Sequence, residues 1–392
     1  MMHAPPLALV GGTVYVSAHD PPLHDSVVLL RDGKIAAVGP RSVVAPHGFE
    51  ILDCSGCTIV PGLWNSHVHF FERKWSAAAE IPTAELARQL QDTFLRYGFT
   101  SVFDLSSAWE NTHSLRARVE SEEVAGPRIR STGEGLVSPG AMPSETVMRI
   151  MGVMPTPMPE VADVSQAVGA AKALLEKGVD GIKLFVQGAA SGAPAFSTEL
   201  ISAVTEEVHR AGKLVFAHPA TGDDVLTALR GGVDVIAHTT PHSGPWTDAI
   251  LEEVRERKVA LTPTLTLWKY FARHDSVSAQ EHVTNAAIEQ LRAWITAGAA
   301  VLFGTDLGAV DPEPSAEYNV MESAGMRFAE ILASMTSTPA QFFGDCDRLG
   351  RVAPGCEADL AVLRGDPTTD IRALADVRLT LRDGRTIYAS AA

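Results

Sequence analysis

From residue 58 onward, short apolar runs alternate with longer helical ones, and this alternation restricts the fold more than any other feature of the chain. The apolar runs are TIVPGLWNSHVHF, TSVFDLSS, RIRSTGEG, GIKLFVQG, KLVFAHPA, VDVIAHTT, VALTPTLTL and AVLFGTDLG. Helical stretches such as TAELARQLQDTFLRYG, VSQAVGAAKALLEKG and SAVTEEVHRAGK lie between several of them. Their closing glycines, Gly98, Gly178 and Gly212, read as C-terminal stops. Eight strand candidates alternating with helices indicate an α/β chain built as a (β/α)8 (TIM) barrel. A doubly wound open sheet is the alternative. It would call for a Gly-rich phosphate turn after a strand, and the sequence offers none.

The two ends of the chain resemble each other. VVLLRDGKIAAVG places Asp32-Gly33 between alternating apolar residues, and VRLTLRDGRTIYA does the same with Asp383-Gly384. Asp-Gly in that setting marks a hairpin, because a type I′ turn needs positive φ at both central positions. Neither end alone could bury much. The expected organisation is therefore a small β-sandwich domain from residues 1–61 and 346–392, with the barrel spanning 62–345.

Composition narrows the partners. A net charge of −15 argues against a broad nucleic-acid or anionic-membrane surface, leaving a small molecule as the expected partner. No apolar run approaches membrane-spanning length, and the opening MMHAPPLALVGG lacks the basic and long apolar parts of a secretory signal. Four cysteines in so long a chain do not make a disulfide framework, so a cytoplasmic location is expected. Cys54 and Cys57 form a C-x-x-C between strand-like residues and read as structural. Nothing in the sequence fixes the oligomeric state, and a homo-oligomer stays open.

Chemistry concentrates where the strands end. In an extended strand, residues two apart share a face, so His67 and His69 in NSHVHF point the same way. That arrangement suits either a metal ion or a solvated strand end. Lys183 lies in GIKLFVQG, His218 ends KLVFAHPA, His238 ends VDVIAHTT, and Asp306 ends AVLFGTDLG. Barrel active sites form at this end of the strands, so six such side chains from five strands would converge on one point. Lys183 sits among Ile182, Leu184, Phe185 and Val186, where a free ammonium is costly. It pairs with a carboxylate such as Asp306, or its neutral amine takes up carbon dioxide as a carbamate able to bridge two cations.

The combination VPGLWNSHVH, the strand-end HPA, AHTT and GTD, and the C-terminal GRVAPGCEADLAVLRGDPTTDI resembles the metal-dependent amidohydrolase superfamily. The closer likeness is to its branch with a carboxylated-lysine binuclear centre, which holds prolidase-like and imidazolonepropionase-related hydrolases. The resemblance implies that His67, His69 and Asp306 bind the more buried of two divalent ions, most plausibly zinc. It further implies that carboxylated Lys183 bridges them and that His218 and His238 hold the second. A hydroxide bridging the metals would attack the substrate carbonyl, with Asp306 as proton shuttle.

Departures from that pattern narrow the reaction. Deaminases of the superfamily carry a glutamate close behind the histidine of strand five, whereas this chain reads His218-Pro219-Ala220-Thr221-Gly222. Hydrolysis of an amide, ester, lactone or carbamate is expected ahead of deamination. STGEGLVSPGAMPSE lacks the histidine that follows strand three in many prolidase-like members, which weighs against dipeptides. A mononuclear enzyme with an unmodified Lys183 and a catalytically inactive barrel scaffold are the remaining alternatives. Phe70, Phe71 and Trp75 in the first loop, with Trp268, Tyr270 and Phe271 in the seventh, either shape an apolar pocket or pack loops on the rim. His242 is a candidate donor to the substrate oxyanion or a plain loop histidine. GVMPTPMPEV, around 152–161, is a candidate lid or a surface crossover.

Overall fold

A computed structural model describes residues 5–141, 158–188, 194–308 and 313–391. The expected lid around 152–161 falls mostly outside them. Both chain ends enter one hydrogen-bonded sheet. Its N-terminal strands are β1 (Leu7–Val14), β2 (Leu23–Arg31), β3 (Lys34–Pro40), β4 (Glu50–Asp53) and β5 (Cys57–Pro61). The order runs β16-β15-β14-β5-β1-β2-β3, with β4 beside β1, where β14 is Leu360–Arg364, β15 Val377–Arg382 and β16 Arg385–Ala389. Antiparallel pairing of β5 with β14, Ile59 opposite Val362, joins the two termini.

Both Asp-Gly pairs make the turns the sequence calls for. φ is 52° and 77° at Asp32 and Gly33, and 50° and 72° at Asp383 and Gly384. The two turns abut: Ala358 N donates to Gly33 O, and Ala358 O accepts from Gly384 N. Alternation along β1 and β2 sends Leu9, Val28 and Leu30 to one buried cluster, shared with Leu360, Val362 and Leu381. Ala8, Val10, Val27 and Leu29 form another. Cys54, Cys57 and Cys356 are unpaired and buried in the first cluster, so the C-x-x-C is core.

All eight apolar runs yield parallel strands. β6 (Leu63–Val68), β7 (Phe99–Asp104) and β8 (Arg128–Ser131) form a three-stranded sheet. β9 (Gly181–Phe185), β10 (Leu214–His218), β11 (Val235–Ala237), β12 (Ala260–Thr262) and β13 (Ala300–Val301) form a five-stranded one. Hydrogen bonds link these sheets at both margins. Beyond β8, Leu136 N donates to Lys183 O and Phe185 N to Leu136 O. Beyond β13, Ser66 N donates to Phe303 O, Asp306 N to His67 O and His69 N to Leu307 O. Gly304 permits the second junction, since a Cβ there would lie 2.6 Å from His67 Cβ. Gly98, Gly178 and Gly212 carry φ of 80°, 90° and 66° after their helices, which is the conformation that ends them.

Arg128, at the start of β8, ties the parallel sheet to the terminal one through Glu357, Asp359 and Asp383. Burial lifts the Asp359 carboxyl to about 6 against the pull of Arg128. Arg128→Leu would strand that buried carboxylate, at a cost of about 3–5 kcal/mol. Urea unfolding near neutral pH should show the loss as a lowered midpoint; an unchanged midpoint would make the cluster a surface ornament.

Candidate metal centre

Backbone strain collects where the parallel strands end. Ser106, His238, Thr264 and Asp306 have φ of 98°, 94°, 45° and 58°. Side-chain-bearing residues avoid these conformations, which cost about 1–3 kcal/mol each and persist where the surroundings hold them. Two of the four, His238 and Asp306, are among the six residues singled out from the sequence.

Five of those six are brought together, and the sixth, Lys183, is buried near enough for its charge to act on His67 and His218. The His67 ring centre lies 5.2 Å from that of His69 and 4.6 Å from that of His238, and His218 is 4.6 Å from His238. Asp306 Oδ1 approaches His69 Nε2 to 2.7 Å and His67 Nε2 to 3.4 Å. One donor atom each from His67, His238 and Asp306 fall within 4.8 Å of one another. Lys183 is buried on β9 and makes no ion pair among the described residues, so the expected alternative of a direct Lys183–Asp306 pair is not what forms.

Electrostatics reports the same convergence. Burial, then the Lys183 charge, holds His67 well below its ordinary value and brings His218 to about 3. Burial, then His218, holds His238 well below its ordinary value. These imidazoles are neutral and keep a lone pair. Burial also lowers Lys183 to about 7, with Asp306 and Asp104 opposing. Burial pushes Asp306 upward, but His69, His238 and Lys183 outweigh it and keep the carboxyl ionised.

The donor set fits a cation. His67 Nε2 and His69 Nδ1 are buried without hydrogen-bond partners, and Asp306 Oδ1 is buried against His69 Nε2 at 2.7 Å. Buried polar atoms are rarely left so, and neutral imidazoles beside a carboxylate are what a divalent ion of the zinc type binds.

The aromatic candidates divide. Phe70 and Trp75 are core residues, packed on each other at 5.3 Å and on Phe94, rather than parts of an open pocket wall. Just past the end of β6, Phe70 turns into the core with its amide held by Ser107 Oγ, while Phe71 stacks on His69 at 4.5 Å. Trp268 lies 6.4 Å from His238, with its Nε1 donating to Thr239 Oγ1. Tyr270 is covered by the Arg273 guanidinium at 3.9 Å. His242 is exposed on the turn Pro241–Ser243, its ring 5.7 Å from Trp268.

Sequence reading missed Asp104, which is buried at the end of β7 and accepts from Ser107, Thr112 and Ser131 hydroxyls. Its place at a strand end in TSVFDLSS was the available signal. Gln290 was not visible at all: from a distant helix it clamps the loop after β11, accepting from Thr240 N and donating to Thr240 O and Gly244 O.

Parallel strands alternating with helices, and a buried imidazole–carboxylate centre at their C-terminal ends, define an α/β enzyme with a candidate metal site. The chain belongs to the amidohydrolase family, whose model matches residues 58–387, and is a hydrolase acting on carbon–nitrogen bonds. The ochratoxinase of Aspergillus niger is 23% identical, over 90% of this chain and 80% of its own length. Its crystal structure superposes with a TM-score of 0.79 at 20% identity, covering 98% of this chain and 96% of that one. A Xaa-Pro dipeptidase solved with methionine in its active site reaches a TM-score of 0.84 at 23% identity, covering 98% and 100%.

Proposed function

We propose that this chain is a binuclear metal-dependent hydrolase that cleaves amide-type C–N bonds of a small apolar substrate, with esters, lactones and carbamates as related targets. Its frame is read as a (β/α)8 barrel over 62–345, flanked by a β-sandwich from 1–61 and 346–392. The observation that carries the reading is the cluster of four neighbouring imidazoles with Asp306, in which buried ring nitrogens of His67 and His69 lack hydrogen-bond partners. His67, His69 and Asp306 would hold the more buried ion, His218 and His238 the other, with carboxylated Lys183 reaching both. When bound, two zinc ions would acidify a water and polarise the scissile carbonyl.

The chain's own groups supply the rest. With its value brought down to about 7, Lys183 is partly neutral near pH 7, and its amine can attack carbon dioxide. A C–N bond forms as one C=O π bond of carbon dioxide opens to an oxyanion; one proton has left the ammonium to free the amine and a second leaves the nitrogen after attack, both to solvent, so a cation among histidines becomes an oxygen anion. Asp306, held ionised, accepts a proton and returns it to the departing nitrogen. His242, on the turn beyond His238, is placed in this reading to donate to the substrate oxygen. Phe71, Trp268 and Tyr270 would wall the apolar part of the substrate. Deamination is disfavoured because no acid stands close behind His218: the first, Asp223, is exposed, and Asp224 is spent on the amides of Ala220 and Thr221.

A panel of N-acyl amino acids, aryl amides, carbamates, lactones, dipeptides and aminopurines tests the reading. Zinc-restored protein should hydrolyse an amide or carbamate, lose that activity to a chelator, and release no ammonia from aminopurines. A zinc-loaded protein inert across the panel would contradict it.

A further inference from the structure

We infer that Thr264, anchored by Glu317, is the positioning residue that fixes which ring nitrogen of His238 faces the metal centre. This rests on the reading of His238 as a metal ligand and goes beyond it. β12 supplies no ligand, yet the residues at its end touch two of them. Thr264 Oγ1 lies 2.7 Å from His238 Nδ1, and Thr262 Oγ1 lies 3.4 Å from His67 Nδ1. Anchoring Nδ1 to the hydroxyl turns Nε2 towards the centre, and the hydroxyl, in accepting the Nδ1–H, leaves Nε2 its lone pair.

Thr264 is an unlikely residue to find free for this task. It stands immediately before the helix Leu265–Phe271, where a threonine hydroxyl ordinarily accepts from the first free amides. Here it caps nothing. Glu317, fully buried on the helix Ser315–Ser323, takes over the capping: Oε1 accepts from Leu265 N at 2.7 Å, and Oε2 from Thr266 N and Thr266 Oγ1 at 2.8 Å each. The Thr264 hydroxyl is thereby released to the histidine. The same bonds hold Thr264 at φ 45°, ψ 51°, a left-handed conformation that a β-branched residue does not adopt unaided. Capping from a neighbouring helix and strain at the capped junction serve one outcome, a hydroxyl aimed at His238.

Zinc affinity of the full chain, measured by competition with a chromophoric chelator, separates positioning from mere packing. Thr264→Val keeps the branched shape and its backbone cost while removing the hydroxyl; Thr264→Ser keeps the hydroxyl. Thr264→Val should bind the ion assigned to His218 and His238 about 10- to 100-fold less tightly, with Thr264→Ser restoring most of the affinity. Glu317→Gln, which presents an amide NH2 where an acceptor is required, should shift affinity the same way. Equal affinity in the Val and Ser variants would overturn the inference even if Glu317→Gln failed to fold. His238→Ala is the control for the underlying reading: if it binds two zinc ions as tightly as the parent, the ligand assignment falls, whereas loss in His238→Ala with none in Thr264→Val sinks only the positioning role.

Discussion

Replacing Asp306 by Asn should leave about two zinc equivalents per chain and remove most turnover, a loss of about 100- to 10,000-fold, the range set by positioned acid–base groups. The amide oxygen of asparagine can still donate to an ion beside His69, so the centre should load. What asparagine cannot do is accept a proton at neutral pH. In the parent chain the carboxyl is held ionised by His69, His238 and Lys183 despite its burial, which suits it to accept one from the nucleophile. Metal analysis and kcat on the same preparation check this. Retained turnover would remove Asp306 as the proton carrier, and loss of both ions would make it a ligand whose catalytic part cannot be separated.

Lys183→Ala should cost one of the two ions and, with it, about 100-fold or more in kcat, since each 1.4 kcal/mol of lost transition-state stabilisation is tenfold. A second signature needs no metal. The amine is brought to about 7 in the folded chain from an ordinary value of 10.5. Between those values the unfolded chain binds the extra proton, so stability of the metal-free parent rises as pH climbs from about 7 towards 10. Below about 7 both states are protonated and the slope vanishes. The metal-free Ala variant should lack this part of the slope. Parallel stability curves for the two proteins would show that Lys183 is not buried as an amine under strain of desolvation.

How legible the molecule was depends on the range of the interaction. Strand ends are local signals: a polar residue closing an apolar run marked His218, His238 and Asp306 without knowledge of neighbours, and the structure sets His218 beside His238, His67 beside His69 and Asp306 against His69. Beyond the strand that carries His67, Phe71 stacks on His69 while Phe70 packs on Trp75, and treating the aromatic loop as one cluster hid the distinction. Asp-Gly turns were readable because the conformation they require is intrinsic to the pair. Glu317 and Gln290 were beyond reach. Each acts on a loop about fifty residues away in the chain, and nothing in SAEYNVMES marks a glutamate that will be buried under someone else's helix terminus.

The most direct measurement is anomalous scattering at the zinc absorption edge from crystals grown in excess zinc. Two peaks should appear between His67, His69, His218, His238 and Asp306, with density for a carboxylated Lys183 reaching both. A single peak, none, or zinc bound elsewhere with the four imidazoles unengaged would contradict the binuclear centre on which the proposed chemistry stands.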